Sequence, residues 1–95
     1  MEKKVAVITG AARGLGRAGA ERFLSSGNWK VALLDVNEEM LAAAAKELGE
    51  KYGAENTAHF TVNITSKESV DKAMKAVIEK FGRIDETSRM SKFGY

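Results

Sequence analysis

Lys4-Val5-Ala6-Val7-Ile8-Thr9-Gly10-Ala11-Ala12-Arg13-Gly14-Leu15-Gly16 opens the chain almost at its first residue. Val5 to Ile8 is an unbroken apolar run, with charge before it and Gly10 soon after it. A short run of this kind marks a strand buried on both faces, as in a parallel sheet. From Leu15 the period changes: Leu15, Ala18, Gly19 and Phe23 share a helical face, and Gly27 stops the helix. Between strand and helix, each glycine has its own use. Gly10 lets the chain leave the strand through a tight turn, Gly14 leaves room for a pyrophosphate against the backbone, and Gly16 lets the helix begin close to the sheet. The N–H groups at the start of such a helix, with the positive end of its dipole, suit a phosphate. A P-loop is excluded, because no Gly-Lys-Ser/Thr follows Gly10 at the required distance.

The alternation of periods continues. Val31 to Leu34 is a second buried-strand run, closed by Asp35. Asn37 is placed as an N-cap with Glu38 and Glu39 in the first turn, followed by Leu41, Ala44, Ala45, Leu48 and Tyr52 at helical spacing. A third strand spans 57–63, where Ala58, Phe60 and Val62 alternate with His59 and Thr61. Thr65 and Glu68 form a capping box, and Val70, Ala73, Met74, Val77, Ile78 and Phe81 follow, up to Gly82. The order β-α-β-α-β-α, with short connections, gives an α/β fold with right-handed crossovers. Strands are expected at about 3–9, 30–35 and 57–63, and helices at about 14–26, 38–52 and 66–82. The last ten residues, 86–95, carry neither period and stand apart as a polar tail behind a domain spanning 1–85.

Composition narrows the function. The chain has 95 residues, 44% hydrophobic and 29% charged, so it holds one small domain. Fifteen Lys and Arg against 13 Asp and Glu leave a net charge of +2, scattered among acids, which argues against nucleic acid. There is no cysteine and one histidine, His59, so disulfides, thiolate metal sites and multi-histidine sites are excluded. No apolar run approaches the ~20 residues that cross a bilayer. A reducing, cytoplasmic setting is the expectation.

Asp35 turns the glycine-rich turn into a cofactor argument. It stands at the C-terminal end of the second strand, 19 residues after Gly16. An acid there accepts hydrogen bonds from adenosine ribose hydroxyls and repels a 2′-phosphate, so NAD is expected in preference to NADP. Arg13, beside Gly14, is a base that could meet a 2′-phosphate, but Asp35 is expected to dominate.

With these residues the sequence resembles the short-chain dehydrogenases/reductases. The resemblance rests on Thr9-Gly10-x-x-x-Gly14-x-Gly16, on Val31-Ala32-Leu33-Leu34-Asp35 and on Phe81-Gly82-Arg83-Ile84-Asp85, and it covers residues 3–85. It implies a three-layer Rossmann-type half-fold and an NAD(H)-binding portion of an oxidoreductase. Gly10, Arg13, Gly14, Leu15 and Gly16 would line the pyrophosphate, Asp35 the ribose, and Asn63 and Ile64 the adenine, where the family more often has Asp than Asn. The family's fourth strand, ending in Asn-Asn-Ala-Gly, its catalytic Ser and its Tyr-x-x-x-Lys pair have no counterpart here. Tyr52 and Tyr95 head no Tyr-x-x-x-Lys. No residue is assigned a catalytic role, and the chain is expected to be inactive alone. Ser91-Lys92-Phe93-Gly94 is similar to the family's segment around the catalytic lysine, which would put Lys92 at the lysine and Ser88 where tyrosine belongs.

The alternative is a non-catalytic module that self-associates or pairs with a full-length relative. With the fourth strand taken as lost, Val5 and Val7 would lie on a bare sheet edge, and a bare apolar edge invites a second chain. A homodimer, or exchange of the tail between chains, is therefore expected.

Overall fold

A computed structural model describes residues 3–12, 14–63 and 65–89. The elements follow as β1 (Lys4–Thr9), α1 (Gly14–Ser25), β2 (Trp29–Asp35), α2 (Glu38–Tyr52), a 3-10 turn (Ala54–Asn56), β3 (Thr57–Thr61), α3 (Lys67–Phe81) and β4 (Glu86–Arg89). All pairings are parallel, in the order β3-β2-β1-β4.

The continuous apolar runs are explained by burial on both faces. Ala6, Ile8, Val31 and Leu33 point to one side, under α1 and α2, with Ala20, Leu24, Leu41 and Leu48. Val5, Val7, Ala32 and Leu34 point to the other, under α3, with Ala73 and Val77. Every one of these strand residues is at most 1% exposed. The crossovers β1-α1-β2 and β2-α2-β3 run one way along the sheet and β3-α3-β4 runs back, so their helices fall on opposite faces.

Three expectations need correcting. The fourth strand is present: Glu86 to Arg89 pairs with β1 from Ala6 to Thr9, taking the first four residues of the polar tail into the sheet. β1 is therefore central, and the edges are β3 and β4. The basis for self-association through a bare β1 edge falls with it. Strand pairing uses backbone groups, so a polar stretch can enter a sheet when a neighbour offers free N–H and C=O groups. Secondly, the fully buried residues of α1 are Gly16, Ala20 and Leu24; of the expected face of Leu15, Ala18, Gly19 and Phe23, Phe23 packs half-buried against the core, whereas Leu15 is 80% exposed and Ala18 is exposed too. Thirdly, Ser66 rather than Thr65 caps α3, its hydroxyl accepting from the Ser69 N–H at 3.3 Å.

Asp85 fastens β4 to the sheet. Its N–H donates to the Val5 carbonyl at 2.8 Å, and its carboxylate accepts from the Val5 N–H at 2.7 Å. Arg83 donates to the same carboxylate at 2.6 Å. The guanidinium first, and the Val5 N–H second, hold the Asp85 carboxyl below the usual carboxylate range. A carboxyl depressed in the folded state adds stability that is present above its ordinary value and lost as pH falls through the lowered one. The urea midpoint is therefore expected to drop as pH falls from about 4 toward 2. Asp85→Asn should be less stable at neutral pH and show a shallower acid limb; an unchanged limb would refute the assignment.

Candidate functional site

Where strand order reverses in a parallel sheet, the loops leaving the two strands diverge and open a crevice at their C-terminal ends. Here that point lies between β1 and β4, and the loop leaving β1 is the glycine-rich turn. Gly10 (φ 66°) and Gly14 (φ 63°) both take left-handed conformations that other residues enter at a cost. Gly16 is required for space: an ideal Cβ there would lie 2.0 Å from the Gly10 carbonyl oxygen. At Gly14, apart from its chain neighbours and its own helix backbone, no atom of the described residues lies within 4 Å of such a Cβ.

Two backbone bonds tie the turn to the end of β2. The Ala11 N–H donates to the Leu34 carbonyl at 3.1 Å, and the Ala12 N–H donates to Asp35 Oδ2 at 3.0 Å. Asp35 Oδ1 accepts the Asn37 N–H at 3.1 Å. The carboxylate is thus pinned from both sides, yet a carboxylate has about four acceptor positions, and the described residues fill two of them. Asn37 in turn caps α2 by accepting the Met40 N–H at 3.0 Å. The first turn of α2 holds Glu38 and Glu39, whereas that of α1 holds no acid, leaving the α1 terminus the more attractive to an anion.

At the end of β3, Val62 is buried and its N–H donates to the Asp35 carbonyl at 2.9 Å, which brings Asn63 to the same end of the sheet. Asn63 Oδ1 already accepts from the Thr65 N–H (3.0 Å) and hydroxyl (2.6 Å). The carboxamide NH2 is the part left for a ligand, so a ring nitrogen suits it better than an amino group. Gly10, Gly14, Leu15, Gly16, Asp35 and Asn63 therefore gather at one end of the sheet. Arg13 and Ile64 lie outside the described residues, as do Ser91 to Gly94. His59 is exposed on β3. No group of three or more His, Cys, Asp or Glu able to hold a metal occurs among the described residues.

Sequence reading missed the Ala12–Asp35 bond, which no spacing announces, and the hydroxyl of Thr9. Thr9 is 4% exposed, and its Oγ1 has no hydrogen-bond partner among the described residues.

The residues fit a dinucleotide: a Cβ-free cradle at a helix N-terminus for phosphates, and a fixed acid with spare acceptor positions for a ribose. The model of the short chain dehydrogenase family matches residues 4–86. Sorbitol dehydrogenase of Cereibacter sphaeroides is 35% identical over 85 residues, covering 90% of this chain and 31% of the relative. A short-chain dehydrogenase/reductase of Burkholderia phymatum, solved in complex with NAD, superposes with a TM-score of 0.84 at 32% identity over 90% of this chain and 30% of that one. L-sorbose reductase from Gluconobacter frateurii, solved with NADPH and L-sorbose, gives 0.82 at 34% identity over 90% and 32%. The chain thus spans about a third of the length of the curated relative it matches.

The two glycines differ in a measurable way. Gly16→Ala meets backbone and should cost roughly 3 kcal/mol or more in urea unfolding, the upper end of overpacking. Gly14→Ala meets only the left-handed penalty, about 1–2 kcal/mol. Equal losses for the two would show that α1 does not approach Gly10 closely.

Proposed function

The chain belongs to the short-chain dehydrogenase family, and from that membership we propose that it is the NAD(H)-binding portion of an oxidoreductase, inactive by itself. The observation that carries this reading is the Asp35 carboxylate, fixed by the Ala12 and Asn37 N–H groups at the rim of the glycine-rich turn. Because the turn and the acid are joined, a pyrophosphate over Gly14 and a ribose at Asp35 would be held at a spacing set before any ligand arrives. Such preorganisation lowers the ordering cost of binding.

Preference for NAD over NADP follows from the same contact. A 2′-phosphate would stand against a carboxylate that two backbone bonds prevent from turning aside, and like charge at close range is strongly unfavourable in a partly dry site. The solved relatives include one holding NAD and one holding NADPH, so the preference is a property of each chain's own residues and rests here on Asp35. Asn63 would donate its carboxamide N–H to a ring nitrogen of adenine. Gly10 and Gly16 shape the cradle, and Gly14, with the N–H groups of Leu15 and its neighbours, would face the phosphates. Arg13 and Ile64 complete the proposed cofactor set by their place in the motif.

When bound, the nicotinamide of the dinucleotide supplies or accepts hydride; the protein's part in such chemistry is to place it and to move a proton. This sequence contains no tyrosine four residues before a lysine to move that proton. Lys92 alone would leave the proton step without its acid. No described helix is long and apolar enough to cross a membrane, and the reading places the chain in the cytoplasm. Assembly into a homo-oligomer would use surfaces other than β1.

Titration with NADH, followed by fluorescence, should show saturable binding, with NADPH at least about tenfold weaker, a difference of ~1.4 kcal/mol. Asp35→Asn should weaken NADH and narrow that gap. Equal affinity for the two cofactors, or a gap unchanged in Asp35→Asn, would overturn the reading. Alcohol or ketone turnover by the pure chain would overturn the inactivity.

A further inference from the structure

The proposed cofactor residues gather at the C-terminal ends of the strands. At the opposite end of the sheet, below the last turn of α3, lies a separate hollow of about 440 Å³. Strand alternation builds its floor. Val5 and Ala32 face α3. Lys3 and Lys30, each two residues earlier on the same face, therefore reach the hollow past the end of that helix. Asn56 stands beside Lys30, because the next residue, Thr57, pairs with Val31. Phe81 and Gly82, where α3 ends, form the facing wall.

Both lysines are half-buried, and both are held in place. Lys3 Nζ donates to Asn56 Oδ1 at 3.0 Å, and the Asn56 carboxamide is itself fixed by donating to the Tyr52 carbonyl at 2.9 Å. Lys30 Nζ stands 5.5 Å from the centre of the Phe81 ring. Neither ammonium has another partner among the described residues. An ammonium carries three N–H donors, so two on Lys3 and all three on Lys30 meet no described protein oxygen.

The nearby acids are turned elsewhere. Glu55 lines the hollow, yet its carboxylate lies against Gly53, where an ideal Cβ would meet Oε1 at 2.8 Å. Arg83 on the rim bonds Asp85, whose carboxylate also accepts the Val5 N–H. The negative end of α3 attracts cations in its own right, but a lysine that serves a helix end bonds the last carbonyls. Neither lysine does so here: one is held on Asn56 and the other on the Phe81 ring. Half-buried charges without a counter-ion are costly, and a bound anion would offset that cost.

We propose that this hollow binds a phosphate dianion, free or carried as a phosphomonoester, with Lys3 and Lys30 as its two cationic ligands. Two fixed ammoniums with most of their donors unmet suit a group with two charges and at least three acceptor oxygens. A carboxylate brings one charge and two oxygens. The volume falls in the range of small-molecule sites. Asn56 and Phe81 are positioning residues: they hold the ammoniums before the ligand arrives, which lowers the ordering cost. Gly14 and Asp35 lie at the other end of the strands, so this site stands whether or not a dinucleotide binds there.

Inorganic phosphate is the probe, titrated at constant ionic strength and pH about 7.5, where it is mostly dianionic. Followed by amide resonances of the full chain, it should shift Lys30, Asn56 and Gly82 saturably. Lys30→Met should weaken that binding at least about tenfold, whereas Lys30→Arg should keep most of it. Lys46→Met, on the exposed side of α2, should change nothing. Should Lys30→Met fail to fold, Lys3→Met, just outside β1, makes the same test. Acetate should give no saturable shift. Glycerol phosphate distinguishes the sources: tighter binding than phosphate assigns a phosphomonoester, and binding no tighter assigns the free ion. Shifts that never saturate, that acetate reproduces, or that both Lys→Met variants leave unchanged would overturn the site. Saturable shifts confined to Gly14 and Leu15 would place phosphate at the glycine-rich turn and overturn the proposal as well.

Discussion

The carbonyl oxygen of Gly10 and the Cα of Gly16 approach so closely that a Cβ on Gly16 would sit 2.0 Å from that oxygen. Much of the site follows from that approach. It brings the first turn of α1 down onto the end of β1 and fixes how the helix is turned about its axis. Gly16, Ala20 and Leu24, one turn apart, face the sheet, Phe23 packs half-buried beside them, and Leu15 and Ala18 are left exposed. It also holds the turn where Ala11 can reach Leu34 and Ala12 can reach Asp35. The glycine-rich turn and the acid thus belong to one hydrogen-bonded unit. A glycine chosen for packing sets both the geometry of the proposed cofactor site and which residues α1 turns outward.

Two aspartates perform comparable work at opposite ends of the sheet. Asp85 accepts the Val5 N–H where β1 begins and so binds the start of β4 to it. Asp35 accepts the Ala12 N–H beyond the end of β1 and so binds the turn to β2. In each case a carboxylate takes a backbone donor just where regular strand pairing begins or ends, which is where unmet donors are most costly. The difference is what else the carboxylate meets. Asp85 is engaged by Arg83 as well. Asp35 accepts two backbone N–H groups, with no cation bonded to it among the described residues.

The strands β1 and β2 and their partner helices were legible because burial on both faces demands unbroken apolar runs, and Val5–Ile8 and Val31–Leu34 are such runs. Glu86-Thr87-Ser88-Arg89 carries no such mark; its place in the sheet comes from β1's free backbone edge and from Asp85, neither of which appears in a hydrophobic period. Leu15, Ala18, Gly19 and Phe23 mark a face of α1 by spacing alone, and in a helix this rich in small residues spacing fits more than one face. The helix is instead seated by its smallest residue, leaving the larger Leu15 in the open. Ser66 and Thr65 are adjacent residues of the same capping chemistry, and only backbone geometry chooses between them. At the site, Gly10, Gly14, Gly16 and Asp35 were legible from spacing on a strand-turn-helix pattern. The Thr65 bonds that occupy Asn63 Oδ1, and the Thr9 hydroxyl that finds no partner among the described residues, depend on three-dimensional neighbours that no spacing reveals.

The described residues proposed to hold the adenosine half fall between Gly10 and Asn63, at the C-terminal ends of β1, β2 and β3 and in the first turn of α1. The cross-links that place the described ones, from Ala11 to Leu34, from Ala12 to Asp35 and from Val62 to Asp35, lie inside the same span. α3 and β4 act differently: α3 covers the second face of the sheet, and β4 adds its far edge. Beyond the bond from the Asn63 N–H to Ser69 Oγ, no described side chain of α3 is bonded to the proposed binding residues. Recognition of the adenosine half, as proposed, would therefore draw on β1 to β3 and the first turn of α1, with α3 and β4 completing the sheet that carries them.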